Sequence, residues 1–182
     1  PRALAALLTG VAALGGLGGG IWWLLVPHVP RAPLVWEART TAGVEATPAV
    51  VGDLLVVPSM DGTVWGYDAR TGELRYRTAP ALLGIAAGAT IDGRTLYLGS
   101  DDRAVYALNA DTGAVLARAT TNGPIRSRPV RQGSRLYVGS DDAHLWTFTL
   151  PGLGAPKSPS EAPLYVGSPV AGDLLLCRDD VV

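Results

Sequence analysis

The chain holds 182 residues, 48% of them hydrophobic and 17% charged, with a formal net charge of −1. So much apolar content with so little charge excludes a disordered chain, and the near-neutral balance argues against a nucleic-acid partner. One cysteine, Cys177, rules out an intrachain disulfide, and two histidines, His28 and His144, leave little material for a metal site.

Residues 3–26 carry no charge. As a helix they would extend about 36 Å, enough for a hydrocarbon core of about 30 Å. Trp22 and Trp23 fall near the end of the run, where amphipathic rings suit the membrane interface, and Pro27 and Pro30 end the helix. The pattern predicts a transmembrane anchor or signal-anchor over 1–30. A cleaved secretory signal is the main rival, although no A-x-A cleavage site follows the Trp pair; a buried helix of a soluble protein is another. An uncleaved anchor makes this a single-pass cell-membrane protein with residues 31–182 on the extracytoplasmic side.

Beyond this segment the sequence repeats. GDLLVVPSMDGTVWGYDARTGEL at 52–74 aligns with GRTLYLGSDDRAVYALNADTGAV at 93–115 and GSRLYVGSDDAHLWTFTLPGLGA at 133–155; GDLLLCRDD at 172–180 opens a fourth copy. Ser59, Ser100 and Ser140 correspond, as do Trp65, Tyr106 and Trp146, and Thr71-Gly72 matches Thr112-Gly113. Each copy reads as four short strands. In the first, 47–51, 54–59, 63–68 and 73–78 are rich in Val, Leu, Tyr and Trp and alternate in part, as strands between packed layers do. Gly-Asp, Met-Asp-Gly and Thr-Gly turns separate them, using residues that accept left-handed backbone or form Asx turns.

A four-stranded unit recurring about every 40 residues is a β-propeller blade, stable only between neighbours. The predicted fold class is all-β: a β-propeller of four-stranded antiparallel blades over 31–182, an open arc of about three to four blades, preceded by one transmembrane helix. Strands near 47–51, 86–91, 126–131 and 166–170 are expected innermost, and Val56, Tyr97, Tyr137 and Leu176 are expected to face the same way. LVWEART at 34–40 reads as an outermost strand without a blade of its own. Pro1 in place of an initiating Met, and a fourth copy that halts after two strands, lead us to expect a piece of a longer ring, incomplete at the C-terminus.

YDARTGELRY at 67–76 and LNADTGAVLA at 108–117 resemble the pyrroloquinoline-quinone-like (PQQ-like) repeat of membrane-anchored bacterial propellers, whose pattern is A-x-D-x-x-T-G-x-x-x-W. In that family the Thr-Gly turn and the Trp lock neighbouring blades together. Here Gly66 stands at the first Ala of the first copy, Tyr76 and Ala117 stand at the Trp, and the third copy keeps almost nothing of the pattern. The resemblance implies the fold but not one function, since unrelated activities share it. Three contexts follow from it. One is the sensor region of a bacterial receptor serine/threonine protein kinase. The second is an envelope protein-assembly scaffold similar to the barrel-assembly propeller lipoprotein. The third is a fragment of a quinoprotein dehydrogenase, which in this family uses PQQ, a catalytic Asp, Ca²⁺ and often two adjacent cysteines; here Cys177 is alone.

The residues themselves assemble no such chemistry. Asp101-Asp102, Asp141-Asp142 and Asp179-Asp180 recur once per unit, as a hairpin turn does, whereas Ca²⁺ wants six or more oxygens converging at one place. His144 stands alone beside a strand, and the Gly-rich 16–20 lacks the Lys-Ser/Thr of a phosphate loop. Arg126, Arg128, Arg131 and Arg135 form a basic cluster, either a solvated edge or a contact for an anionic ligand. No catalytic, cofactor-binding or metal-binding residue is assigned, and PQQ and Ca²⁺ enter only with the dehydrogenase alternative. The expectation is a non-enzymatic binding, sensor or scaffold module. It would hold the membrane through its N-terminal helix and a protein or small-molecule ligand on the propeller.

Overall fold

The computed structural model describes residues 33–154 and 164–173, the last three by backbone alone. The expected anchor over 1–30, Leu176, Cys177 and the third Asp pair lie outside the described residues. Among those described, no helix is long and apolar enough to cross a membrane.

The described residues form antiparallel four-stranded sheets, one per repeat. The first runs β1 (Ala49–Val51), β2 (Leu54–Pro58), β3 (Val64–Asp68), β4 (Leu74–Thr78) in spatial order. The second repeats this with β5 (Thr90–Asp92), β6 (Thr95–Gly99), β7 (Ala104–Asn109) and β8 (Val115–Thr120). Next comes β9 (Arg126–Arg128), which stands apart, and then the third sheet: β10 (Val130–Gln132), β11 (Arg135–Gly139), β12 (His144–Thr149) and β13 (Leu164–Tyr165). Strand β14 (Ala171–Asp173) pairs in parallel with β9.

Register repeats with the sequence: Ala49, Thr90 and Val130 lie opposite Val56, Tyr97 and Tyr137. Because strands alternate faces, Val56 packs with Leu96 and Leu98 between the first two sheets. Tyr97 packs with Leu136 and Val138 between the second and third. Val56 and Tyr97 thus both face the following sheet, as expected, and Tyr137 holds the same register position. The middle sheet is buried on both faces, so all of β7 but its last residue is buried and reads as a continuous apolar run.

Of the expected innermost strands the first is found in place, 47–51 against Ala49–Val51, and the other three are displaced or cut. In the second unit pairing starts at Thr90 rather than 86, because the Ile85 amide is already bonded to the Ser59 carbonyl of the sheet before it. The expected 126–131 strand is cut by Pro129, which has no N–H to donate, leaving β9 and β10 with different partners. The expected 166–170 strand lies instead at 171–173; the Val170 amide is held by the Ser140 carbonyl. Residues 34–40 form no strand. They are tethered by side chains, Trp36 Nε1 to the Ala69 carbonyl (3.1 Å) and Tyr67 Oη to the Arg39 carbonyl (3.4 Å).

Candidate functional site

Each second strand ends in a buried serine, and this residue organises one end of the sheets. The Ser100 hydroxyl donates to the carbonyls of Leu83 and Gly84 (3.2 and 3.1 Å), and that of Ser140 to Gly123 (3.1 Å). Their own carbonyls accept amides of the next unit: Ile85 on Ser59 (3.2 Å), Ile125 on Ser100 (3.1 Å), Val170 on Ser140 (3.2 Å). A hydroxyl sealed from water must find a partner, and here the partner is the incoming loop. One small residue therefore joins a hairpin to the loop before it through its hydroxyl and to the loop of the following unit through its carbonyl.

The aspartates complete this loop end. Asp61, Asp102 and Asp142 each accept the amide two residues on, from Thr63, Ala104 and His144, all at 3.0 Å. The second oxygen holds the incoming loop, through the Thr41 hydroxyl, the Leu82 amide (3.0 Å) and the Asn122 amide (3.1 Å) respectively. Tyr106 Oη (2.6 Å) and Trp146 Nε1 (3.0 Å) add a further donor to Asp102 and Asp142. The bond from Thr41 lowers the Asp61 carboxyl to about 2. Burial works to raise Asp102, but the bonds from Tyr106, Leu82 and Ala104 outweigh it and hold the carboxyl below its ordinary value. Tyr106 is pushed up, first by burial and then by its bond to Asp102.

Asp101 and Asp141 play a separate part. Arg126 reaches both, Nε to Asp101 at 3.0 Å and Nη1 to Asp141 at 2.7 Å, bridging neighbouring hairpins. The basic cluster of the sequence is thereby divided. Arg131 pairs with Asp92 at 3.0 Å, Arg128 lies near Gly88, and Arg135 stands on β11 opposite Gln132. His144 is also a hairpin residue, with Nδ1 2.8 Å from the Asp142 carbonyl and its ring beside Tyr165.

At the opposite end lie the Thr-Gly turns. Asp68 Oδ1 accepts the amides of Arg70 and Thr71 (both 3.0 Å), and Asn109 Oδ1 those of Asp111 and Thr112 (2.9 and 3.1 Å). Gly72 and Gly113 take φ of 74° and 70°. An aromatic ring of the preceding unit covers each: Trp36 and Tyr76 come within 2.6 Å of where a Cβ would stand. Trp36 is the docking residue that sequence reasoning missed; its spacing from Tyr76 matches the repeat and was the available signal. In the third unit Leu153 (φ 52°) takes the glycine position, and the closing Thr149 amide to Gly154 carbonyl bond (3.0 Å) persists although the motif is gone. Leu153 and Ala117 share one apolar cluster, so the bulk has changed sides.

Between the first two sheets at this end, Asp53, Leu54, Asp68, Arg75 and Asp111 line a cavity of roughly 150 Å³. Arg75 Nη2 sits 2.6 Å from Asp68 Oδ2 and is the main reason that carboxyl lies well below its ordinary value. Arg94 pairs with Asp111 at 3.0 Å. Among the described residues no group of three or more His, Cys, Asp or Glu is placed to hold a metal ion. The repeat carboxylates already accept from backbone amides, Tyr106, Trp146 and Arg126, so these residues do not fit a quinone–Ca²⁺ centre.

Sheets of this kind, clasped in series through repeat-borne serines, aspartates and Thr-Gly turns, define a β-propeller of PQQ-like repeats. The chain belongs to the PQQ_2 family, outer membrane protein assembly factor BamB, whose family model matches residues 32–90 and 77–152. The outer membrane protein assembly factor BamB of Escherichia coli (strain K12) is 23% identical over 189 residues, covering 95% of this chain and 47% of that protein. The crystal structure of BamB from Moraxella catarrhalis superposes with a TM-score of 0.59 at 20% identity, over 68% of this chain and 39% of that one. The quinohemoprotein alcohol dehydrogenase ADHIIG from Pseudomonas putida HK5 gives 0.56 at 20% identity, over 65% and 21%. These structural likenesses show a shared fold. The chain spans about half the length of the E. coli relative it matches.

Proposed function

We propose that the chain is a non-enzymatic propeller scaffold of the bacterial envelope that binds a protein partner, anchored at the membrane by residues 3–26. One observation carries this reading. The polar side chains of the repeat are used to hold the loop end rigid, as Asp102 does with Leu82, Ala104 and Tyr106, and so present a fixed surface. Binding to a preorganised surface loses little conformational entropy. The curated relatives bear the name of an assembly factor, which favours a scaffold over the sensor region of a receptor kinase. No quinone or metal is required in this reading.

The test is photo-crosslinking in bacterial cells from a probe placed at exposed Arg103, with fractionation. The expected outcome is membrane recovery and a discrete adduct with one envelope protein. Release of the chain into the cytoplasmic fraction without an adduct would count against it, as would dye-linked oxidation of an alcohol or sugar on adding PQQ and Ca²⁺.

A further inference from the structure

The cavity between the first two sheets, at the Thr-Gly end, carries charge that the fold does not explain. Its roughly 150 Å³ is bounded by Asp53 from the β1–β2 turn, Leu54 at the start of β2, Asp68 and Arg75 from either side of the first Thr-Gly turn, and Asp111 from the second. Leu54 is buried and gives it an apolar wall. Arg94 stands at the rim: its Nη1 is 3.0 Å from Asp111 Oδ1 and 3.7 Å from where a Cβ on Gly52 would lie. The repeat does not ask for these residues. In the register of the copies, Asp53, Asp68, Arg75 and Asp111 correspond to Arg94, Asn109, Leu116 and Pro151. The next junction thus has no carboxylate at any of the four positions. Its turn is held in the same way, for Asn109 Oδ1 accepts the amides two and three residues on, as Asp68 Oδ1 does.

Charge and size identify the ligand's chemistry. Asp68 is paired with Arg75 at 2.6 Å and Asp111 with Arg94 at 3.0 Å. Asp53 is in no ion pair among the described residues, so one negative charge is left for a ligand to meet. A guanidinium has five N–H donors, and one carboxylate oxygen on each leaves others facing outward. Among the described residues no three carboxylates converge as a metal ion needs. We propose that this cavity binds a small amino acid as its zwitterion, the ammonium on Asp53 and the carboxylate on the guanidiniums of Arg75 and Arg94. Pockets for drug-sized ligands measure about 300–1,000 Å³, so the space here suits a side chain no larger than that of glycine or alanine. An amine alone would leave the guanidinium donors unmet, and an anion alone would meet the charge of Asp53. The inference goes beyond the scaffold reading and lies at the opposite end of the sheets from it.

The experiment follows the NMR line width of ¹³C-labelled glycine as the full chain is added. Alanine, methylamine, acetate and N-acetyl-lysinamide are run beside it. Glycine and alanine should saturate with a Kd of about 1 mM, and methylamine and acetate should bind at least about tenfold more weakly. Asp53→Asn should raise the glycine Kd about tenfold or more with an unchanged melting temperature, since no other side chain is bonded to Asp53. Arg94→Gln should weaken glycine but not methylamine. Absence of saturable binding, methylamine or acetate as tight as glycine, or an unchanged glycine Kd in Asp53→Asn overturns the proposal. Tighter binding of N-acetyl-lysinamide also overturns it, because the site would then take a lysine side chain of a protein. None of these outcomes bears on the adduct expected from Arg103, which tests the scaffold reading by itself.

Discussion

Arg103 and Ala143 hold φ of 68° and 63°, the left-handed region in which the first unit has Gly62 at 78°. Each closes the same turn, its amide bonded to the carbonyl of Ser100 or Ser140. A Cβ in that conformation crowds the following carbonyl, so a non-glycine residue is strained there. Ala143→Gly should therefore stabilise the chain by about 0.5–1 kcal/mol after the added chain entropy of glycine, read as a higher denaturant midpoint. The reverse change is not symmetrical. A Cβ on Gly62 would run into the Ala81 carbonyl, so Gly62→Ala should cost about 2 kcal/mol or more. The Asp of this turn was legible in the sequence because its bond to the amide two residues on is local. Its second bond, to the incoming loop, was not legible, since Leu82 and Asp102 are joined only by the fold.

The exchange of bulk between Ala117 and Leu153 belongs to whole elements. In the first two junctions a large ring docks on glycine, Trp36 on Gly72 and Tyr76 on Gly113; in the third a small residue on β8 faces a filled turn. Tyr76 gains its room from Gly66, which lies across from it on β3 and could not carry a Cβ without striking the ring. Leu153→Gly should cost about 2–4 kcal/mol by opening a cavity, and Ala117→Trp alone should overpack. Together they should recover at least about 1 kcal/mol of coupling, measurable in a double-mutant cycle. Additive losses would show that the two sites do not share the space.

The same scale explains what could be read. The second and third strands of the first sheet were placed to within a residue, because short turns bracket buried apolar runs, 54–59 against Leu54–Pro58 and 63–68 against Val64–Asp68. The innermost strands after the first were misplaced because the amides at Ile85, Ile125 and Val170 go to the serine carbonyl of the sheet before. No local pattern reports that choice.

Across the described sheets, three carboxylates with lowered values sit at joints: Asp61 and Asp102 between hairpin and incoming loop, and Asp68 in the turn that meets Trp36. A carboxyl held lower in the folded chain than in the unfolded one adds stability above its unfolded value and loses it as pH falls through its folded value. For Asp61 that window runs from 3.8 down to about 2. Tyr76 leads the alkaline side, where burial also raises Tyr67, Tyr97 and Tyr106. Burial foremost, with Asp111, raises the Tyr76 phenol from 10.0 to about 12, so the unfolded chain ionises first and stability falls as pH climbs through that interval. Between the two windows these groups contribute no slope. Denaturant midpoints followed by circular dichroism should thus form a plateau with an acid limb below about pH 4 and an alkaline limb above about pH 10. Thr41→Val removes the donor that chiefly depresses Asp61, so it should shallow the acid limb and leave the alkaline one in place. Tyr76→Phe should do the reverse, shallowing the alkaline limb, because it deletes one of the raised phenols while keeping the ring on Gly113. If either variant shifts both limbs equally, the pH dependence does not arise at these joints.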